Sequence, residues 1–169
     1  VSIITPGASI PWSATTVTAG LARPWGVIFD GANMWVTDHT AGKLLKLDAA
    51  GAVLQTVTVG VFPDIPTFDG SNIWVPNLTS VTVVRASSGA VLGTLTGIGL
   101  GPGLPAAAFD GQRVLVASQG SDSVFLWKAA DLTPLGSFPT GAGSSPLGAC
   151  SDGINFWIAL NGASKIARF

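Results

Sequence analysis

Apolar residues fall in short runs along the whole chain, each closed off by glycine, proline or a small polar residue. In the first stretch the runs are Gly26-Val27-Ile28-Phe29, Met34-Trp35-Val36-Thr37, Lys43-Leu44-Leu45-Lys46-Leu47 and Val53 to Val59. Each is four to seven residues long, the length of a strand, and no window sustains the 3.6-residue period of an amphipathic helix. Between the first two runs stands Asp30-Gly31, a pair that tolerates positive φ and favours a tight hairpin. The pattern predicts four antiparallel strands in about 40 residues.

The unit then repeats. Phe29-Asp30-Gly31…Met34-Trp35-Val36 returns as Phe68-Asp69-Gly70…Ile73-Trp74-Val75, as Phe109-Asp110-Gly111…Val114-Leu115-Val116, and as Ser151-Asp152-Gly153…Phe156-Trp157-Ile158. The Asp-Gly pairs are 39, 41 and 42 residues apart, a period that marks stacked structural repeats. The run after each pair is apolar at consecutive positions, whereas a strand with one wet face alternates. These second strands are therefore expected to be buried on both sides, between neighbouring sheets. Radially packed four-stranded sheets meet that demand, so the fold class is all-β, a β-propeller with four blades. Trp35, Trp74, Leu115 and Trp157 share one register and are expected in equivalent buried positions. The small residues Ala106-Ala107-Ala108 and Gly148-Ala149-Cys150 suit crowded innermost strands, with Cys150 read as a buried small hydrophobe.

Blade boundaries fall near 24–60, 63–98, 104–141 and 146–169 within a single domain of residues 1–169. The fourth repeat reaches its third strand at Lys165-Ile166-Ala167-Arg168-Phe169. Residues 14–20 resemble the outer strand Leu54 to Gly60, so the expectation is strand closure, with 14–20 completing the last blade beside 165–169. Val1-Ser2-Ile3-Ile4-Thr5 reads as a further third strand. Two other arrangements stay open: half of an eight-blade ring formed by a dimer, and a fragment of a longer propeller.

Composition narrows the function classes. Only 10% of residues are charged, against a norm of roughly 25%, and the formal charge is −1. No basic face is available to neutralise phosphates, so nucleic acid is not an expected partner. No apolar stretch approaches 18 residues, so no membrane span is expected. A charge-poor chain rich in Thr, Ser and Gly suits an extracytoplasmic or secreted setting.

In this frame the loops after each second strand and between blades share one face, and they differ from blade to blade while the Asp-Gly turns opposite do not. Variable loops on a rigid scaffold are where ligands are bound. Arg23, Trp25, His39, Phe62 and Asp64 are the candidate ligand-binding residues: a cation, two aromatics, the lone histidine and a carboxylate on neighbouring blades. Asp38, Asn77 and Ser118 occupy equivalent positions and are read as caps of the turn after the second strand. The repeated aspartates Asp30, Asp69, Asp110 and Asp152 are explained as turn residues bonding their own backbone rather than as calcium ligands. One histidine and one cysteine make no metal cluster, so neither a metal nor a cofactor nor a catalytic residue is assigned.

Written out, Pro24…Phe29-Asp30-Gly31…Met34-Trp35-Val36 and Pro63…Phe68-Asp69-Gly70…Ile73-Trp74-Val75-Pro76-Asn77 resemble bacterial propeller repeats of the YVTN and streptogramin-lyase-like superfamily. Members usually have six or seven blades, and many are binding or scaffold domains. The lyases of that group use histidine, glutamate and bound magnesium; this chain has one histidine and no glutamate, and their activity is not carried over. The reading is a non-enzymatic binding or scaffold propeller recognising a sugar or peptide. The alternatives are a self-assembling structural subunit, a homodimer among its forms, and an enzyme using Asp38, His39, Asp64 and Arg23.

Overall fold

A computed structural model describes residues 15–169 except Ala19 and Ile98. Val1 to Thr5 lie outside the described residues, as does Ala14. Four antiparallel sheets follow one another along the chain, each a meander in which consecutive strands pair. The first contains β1 (Pro24–Phe29), β2 (Met34–Asp38), β3 (Lys43–Leu47) and β4 (Val53–Thr58). The second contains β5 (Thr67–Phe68), β6 (Asn72–Pro76), β7 (Val81–Arg85) and β8 (Val91–Leu95). The third is built from β9 (Ala107–Phe109), β10 (Arg113–Ser118), β11 (Ser123–Lys128) and β12 (Pro134–Pro139). The fourth has β13 (Pro146–Ser151), β14 (Phe156–Leu160) and β15 (Lys165–Arg168). Among the described residues the only helical pieces are two three-residue 3₁₀ turns, Gln119–Ser121 and Asn161–Ala163. The chain is all-β, with the four blades of a β-propeller.

Each blade starts from the same hairpin. Phe29 pairs with Met34, Phe68 with Ile73, Phe109 with Val114 and Ser151 with Phe156, leaving four residues in each turn. Gly31, Gly70, Gly111 and Gly153 sit at φ between 88° and 101°, where a side chain is strained. One oxygen of each aspartate accepts two backbone N–H groups of the turn, for example from Ala32 at 2.8 Å and Asn33 at 2.7 Å onto Asp30. The other oxygen accepts the indole N–H of the tryptophan five residues on: Trp35 at 2.7 Å, Trp74 at 2.7 Å and Trp157 at 2.8 Å. Blade 3 has Leu115 at that place, and Arg113 takes over the carboxylate of Asp110 at 2.7 Å. Burial works to raise the Asp30 and Asp110 carboxyls, but these bonds outweigh it and hold both below the usual carboxylate range.

The core is divided among the blade interfaces. Trp35, Leu44 and Val57 of blade 1 pack against Ile73, Val75 and Val84 of blade 2. Trp74, Val81 and Val83 of blade 2 meet Val114, Val116, Phe125 and Trp127 of blade 3. Leu115, Val124 and Leu126 then meet Phe156, Ile158 and Leu160 of blade 4. Trp35, Trp74 and Leu115 are fully buried, and truncating a side chain so placed costs about 3–5 kcal/mol.

Blade 4 departs from expectation. Trp157 keeps the shared register but is 38% exposed, because no further sheet covers its side of the blade. Burial along β14 alternates strictly although its sequence, Phe-Trp-Ile-Ala-Leu, is apolar throughout. Its sheet has three strands, and residues 15–18 pair with no strand. Among the described residues, the closure expected between 14–20 and 165–169 is thus not made within the chain. Val17 and Leu21 instead pack on Met34, Val36, Leu45 and Leu47, the face of blade 1 turned away from blade 2. Of the small innermost residues, Ala106, Ala107 and Ala108 are buried, but Cys150 is exposed, since β13 also lacks a neighbour on one side.

Candidate functional site

The three segments that carry the candidate residues, 21–25, 38–42 and 61–64, are tied to the blades by hydrogen bonds to their backbone. Asp38, fully buried at the end of β2, accepts the N–H groups of Ala22 at 2.5 Å, Arg23 at 3.1 Å and Ala41 at 3.1 Å. Burial works to raise its carboxyl, but those three donors prevail and keep it below the ordinary range. His39 completes the link by donating its backbone N–H to Arg23 O at 2.9 Å. Asn77 does the equivalent work in blade 2, donating its amide to Ser80 O at 3.1 Å and Thr82 Oγ1 at 3.0 Å. Ser118 accepts from Ser121 at 2.8 Å in blade 3. Asp38 and Asn77 thus cap their turns as the sequence suggests, whereas Ser118 makes no side-chain bond to the backbone of its turn and meets only the Ser121 hydroxyl.

The Val61–Asp64 loop crosses from blade 1 to blade 2. Asp64 donates its N–H to Pro76 O and Val61 accepts from Leu78, both at 2.8 Å. Gly26 lies so close to this loop that a Cβ there would stand 2.9 Å from Ile65 Cα. Phe62 adopts φ 51°, a left-handed conformation that strains a bulky residue. Such a conformation persists only where the surrounding loop over-determines it, as the bonds of Val61 and Asp64 do here.

These constraints bring all five candidate residues together. Trp25 and His39 have ring centroids 5.1 Å apart, and His39 stacks on Phe62 at 4.9 Å with 21° between the planes. The Arg23 guanidinium lies 5.2 Å from the Trp25 ring. Trp25 donates its indole N–H to Asp64 at 2.7 Å. The result is a row, Arg23–Trp25–His39–Phe62, with Asp64 beneath the indole edge. Trp25 and Phe62 are 49% and 43% exposed, an unusual state for rings packed in sequence. Burial pushes the Asp64 carboxyl up, against the opposing pull of Trp25, the Ile65 N–H and His39. His39 Nδ1 is buried without a hydrogen-bond partner.

The chemistry of this arrangement is that of a contact surface: flat rings bordered by a cation and a carboxylate. Asp38 belongs to it only as a support, since its oxygens are occupied by backbone donors. No group of three potential metal ligands occurs among the described residues. Sequence reasoning missed Val61 and Ile65, which are 63% and 48% exposed and extend the apolar rim. Their signal was present as Val61-Phe62-Pro63-Asp64-Ile65, an apolar loop where polar residues are the rule. It also missed a cavity of about 630 Å³ on the Asp-Gly side, between blades 2 and 3, lined by Arg85, Lys128, Asn72, Leu132 and Leu135.

No family model and no curated protein sequence matches the chain. Solved structures do. Virginiamycin B lyase from Staphylococcus aureus superposes with a TM-score of 0.73 at 15% identity, covering 86% of this chain and 51% of that one. Hydrazine synthase of Kuenenia stuttgartiensis gives 0.65 at 20% identity, over 87% and 48% of the two chains. The computationally designed Ika8 protein gives 0.74 at 13%, over 86% and 45%. The chain spans about half the length of these structures. At such identities the likeness is one of fold, and the fold is the one the repeats resemble, that of the streptogramin-lyase propellers.

Proposed function

We propose that the chain is a non-enzymatic binding propeller that recognises a sugar or peptide through the row Arg23–Trp25–His39–Phe62 and the adjoining Asp64. The carrying observation is that two large rings stay half exposed while bonded and stacked into a fixed row. A preorganised aromatic surface stacks on the apolar face of a sugar or on a peptide side chain with little entropy to lose. Asp64 and Arg23 then supply an acceptor and donors at its edges. The absence of glutamate argues against the magnesium-dependent chemistry of the lyases named above, and the low charge favours a setting outside the cytoplasm.

Glycan and peptide arrays probed with wild type and Trp25→Ala provide the test. Wild type is expected to retain a subset of one array, and Trp25→Ala to lose it. Equal retention by both proteins overturns the site.

A further inference from the structure

We propose that the cavity between blades 2 and 3 is a second binding site, for a small organic acid that offers one carboxylate and an apolar body. It lies on the Asp-Gly side, away from the aromatic row, and uses none of the residues of that row. Both of its walls belong to blades packed against a neighbour on either side.

A leucine stands there in the place of a glycine. Blades 1 to 3 each turn from third to outer strand through a residue with left-handed backbone, whose N–H donates to the carbonyl that opens the turn. In blade 1 that residue is Gly51, at φ 83° and 3.0 Å from Asp48 O; in blade 2 it is Gly89, at φ 71° and 2.7 Å from Arg85 O. In blade 3 it is Leu132, at φ 63° and 3.0 Å from Lys128 O. Leucine is strained in this conformation and glycine is not. The side chain reaches across to blade 2, where a Cβ placed on Gly93 of β8 would lie 3.7 Å from Leu132 Cδ1. It packs partly on the core between the blades and also lines the cavity. Strained residues cluster at active sites and ligand clamps, and Leu132 gives the cavity an apolar wall that glycine would not.

The space itself is the second observation. The matching groove between blades 1 and 2 is bounded by Phe68 and Gly70 as the larger one is by Phe109 and Gly111. It measures about 340 Å³, and Lys46 on its wall donates to Ala86 O of the next blade at 2.9 Å. Trp35 pairs with Lys46 and Trp74 with Val83, so a fully buried valine takes the place of that lysine in blade 2. Valine is too short to make the same crossing to blade 3. The cavity left there is about 630 Å³, within the range of sites that hold small organic ligands.

Charge defines the head group. Only eight residues of the chain are lysine or arginine, and three of them, Arg85, Arg113 and Lys128, line this one cavity. Arg113 is paired with Asp110 at 2.7 Å, the one ion pair among the described residues. Arg85 and Lys128, at matching places in blades 2 and 3, are left without one. The acids nearby are engaged elsewhere: Asp131 accepts the Thr133 N–H at 3.0 Å, and Asp69 accepts N–H groups from Ser71, Asn72 and Trp74 on both oxygens. A planar carboxylate fits the guanidinium fork of Arg85, and Lys128 adds a point charge. Leu92 and Leu135, 42% and 39% exposed, stand with Leu132 and Phe109 on the walls and take the apolar body.

Isothermal titration calorimetry with octanoate provides the test. One octanoate is expected to bind per chain, and octanamide, of the same shape without the charge, at least about tenfold more weakly. Acetate, which lacks the apolar body, should give no measurable heat. Arg85→Gln and Lys128→Gln, both at exposed positions, should each weaken octanoate about three- to tenfold. Leu132→Gly restores the residue of the other two turns; it should keep the β circular-dichroism spectrum and a Tm near that of wild type, yet weaken octanoate about tenfold. The two charge variants decide by themselves should Leu132→Gly not fold. Trp25→Ala should bind octanoate as wild type does, which separates this site from the aromatic row. No binding of octanoate, equal binding of octanamide, unchanged affinity in the cavity variants, or loss of binding in Trp25→Ala would each overturn the proposal.

Discussion

The indole N–H of Trp74 lies 2.7 Å from Asp69 Oδ2, so the residue that makes the hairpin turn also fixes the largest side chain of the neighbouring interface. Turn and core are coupled through one carboxylate: it holds two backbone N–H groups with one oxygen and the buried ring with the other. Trp74→Phe keeps most of the apolar volume and removes the donor. It should destabilise the protein by about 1.5–3 kcal/mol, the range for hydrogen bonds to charged groups, read from urea unfolding. A loss near zero would mean that the bond contributes nothing net.

Trp157 makes the same bond at an exposed site, which separates the two contributions. Trp157→Ala should cost about 1 kcal/mol, whereas Trp74→Ala should cost about 3–5 kcal/mol, both read from urea unfolding. Equal losses would show that the Trp157 face of the fourth blade is covered after all.

Acid should destabilise the fold. Asp30, Asp38, Asp110 and Asp152 all have carboxyls held below their ordinary value, chiefly by backbone and indole donors acting against burial where burial matters. A group whose folded value is depressed adds stability above the unfolded value, near pH 4, and loses it as pH falls through the folded value. Tm measured by calorimetry should be flat between pH 7 and 5 and fall steadily from pH 4 to 2. A level profile over that acid range would contradict the assignment.

Asp64 should behave in the opposite sense. Burial raises its carboxyl, so the ionised form costs stability at neutral pH, and that cost vanishes once the group is protonated. Asp64→Asn can still accept the Trp25 N–H. It is expected to raise Tm at pH 7, with the difference shrinking by pH 3, while weakening retention on the array that wild type recognises. A lower Tm at pH 7 would mean that the carboxylate stabilises the loop.

Gly26→Ala tests the support beneath the aromatic row. The added methyl group meets Ile65 Cα, Pro66 Cδ and Asp64 O, all backbone or ring atoms that yield only by moving the loop. Stability should fall by about 1–3 kcal/mol, and Asp64 should be pushed from Trp25. Tryptophan fluorescence and array binding should change together; loss of stability with unaltered binding would detach the loop from the site.

Much of this was legible because one short phrase does several jobs. Asp-Gly between apolar runs demands a hairpin, and its repetition demands stacked hairpins. The five candidate residues were found because blade topology alone assigns their loops to one face. What escaped has physical causes. A run such as Phe156-Trp157-Ile158 shows that a strand can be buried on both sides, but not whether a neighbour is present, so Trp157 and Cys150 were placed inside. The resemblance of 14–20 to an outer strand rests on residue type alone, which does not say whether the segment meets a sheet edge, and residues 15–18 pair with none. The five-residue interval from aspartate to tryptophan stands in three repeats and passed unread, because on a strand it does not mark a common face.

Four tryptophans, Trp25, Trp35, Trp74 and Trp157, each give their indole N–H to a different aspartate. An N–H facing a carboxylate resonates far from one facing water and shifts when its acceptor takes up a proton. The indole region of a proton–nitrogen correlation spectrum therefore holds a separate gauge for the loop site and for three of the blades. Followed through an acid titration, those signals would report the order in which the parts of the molecule let go.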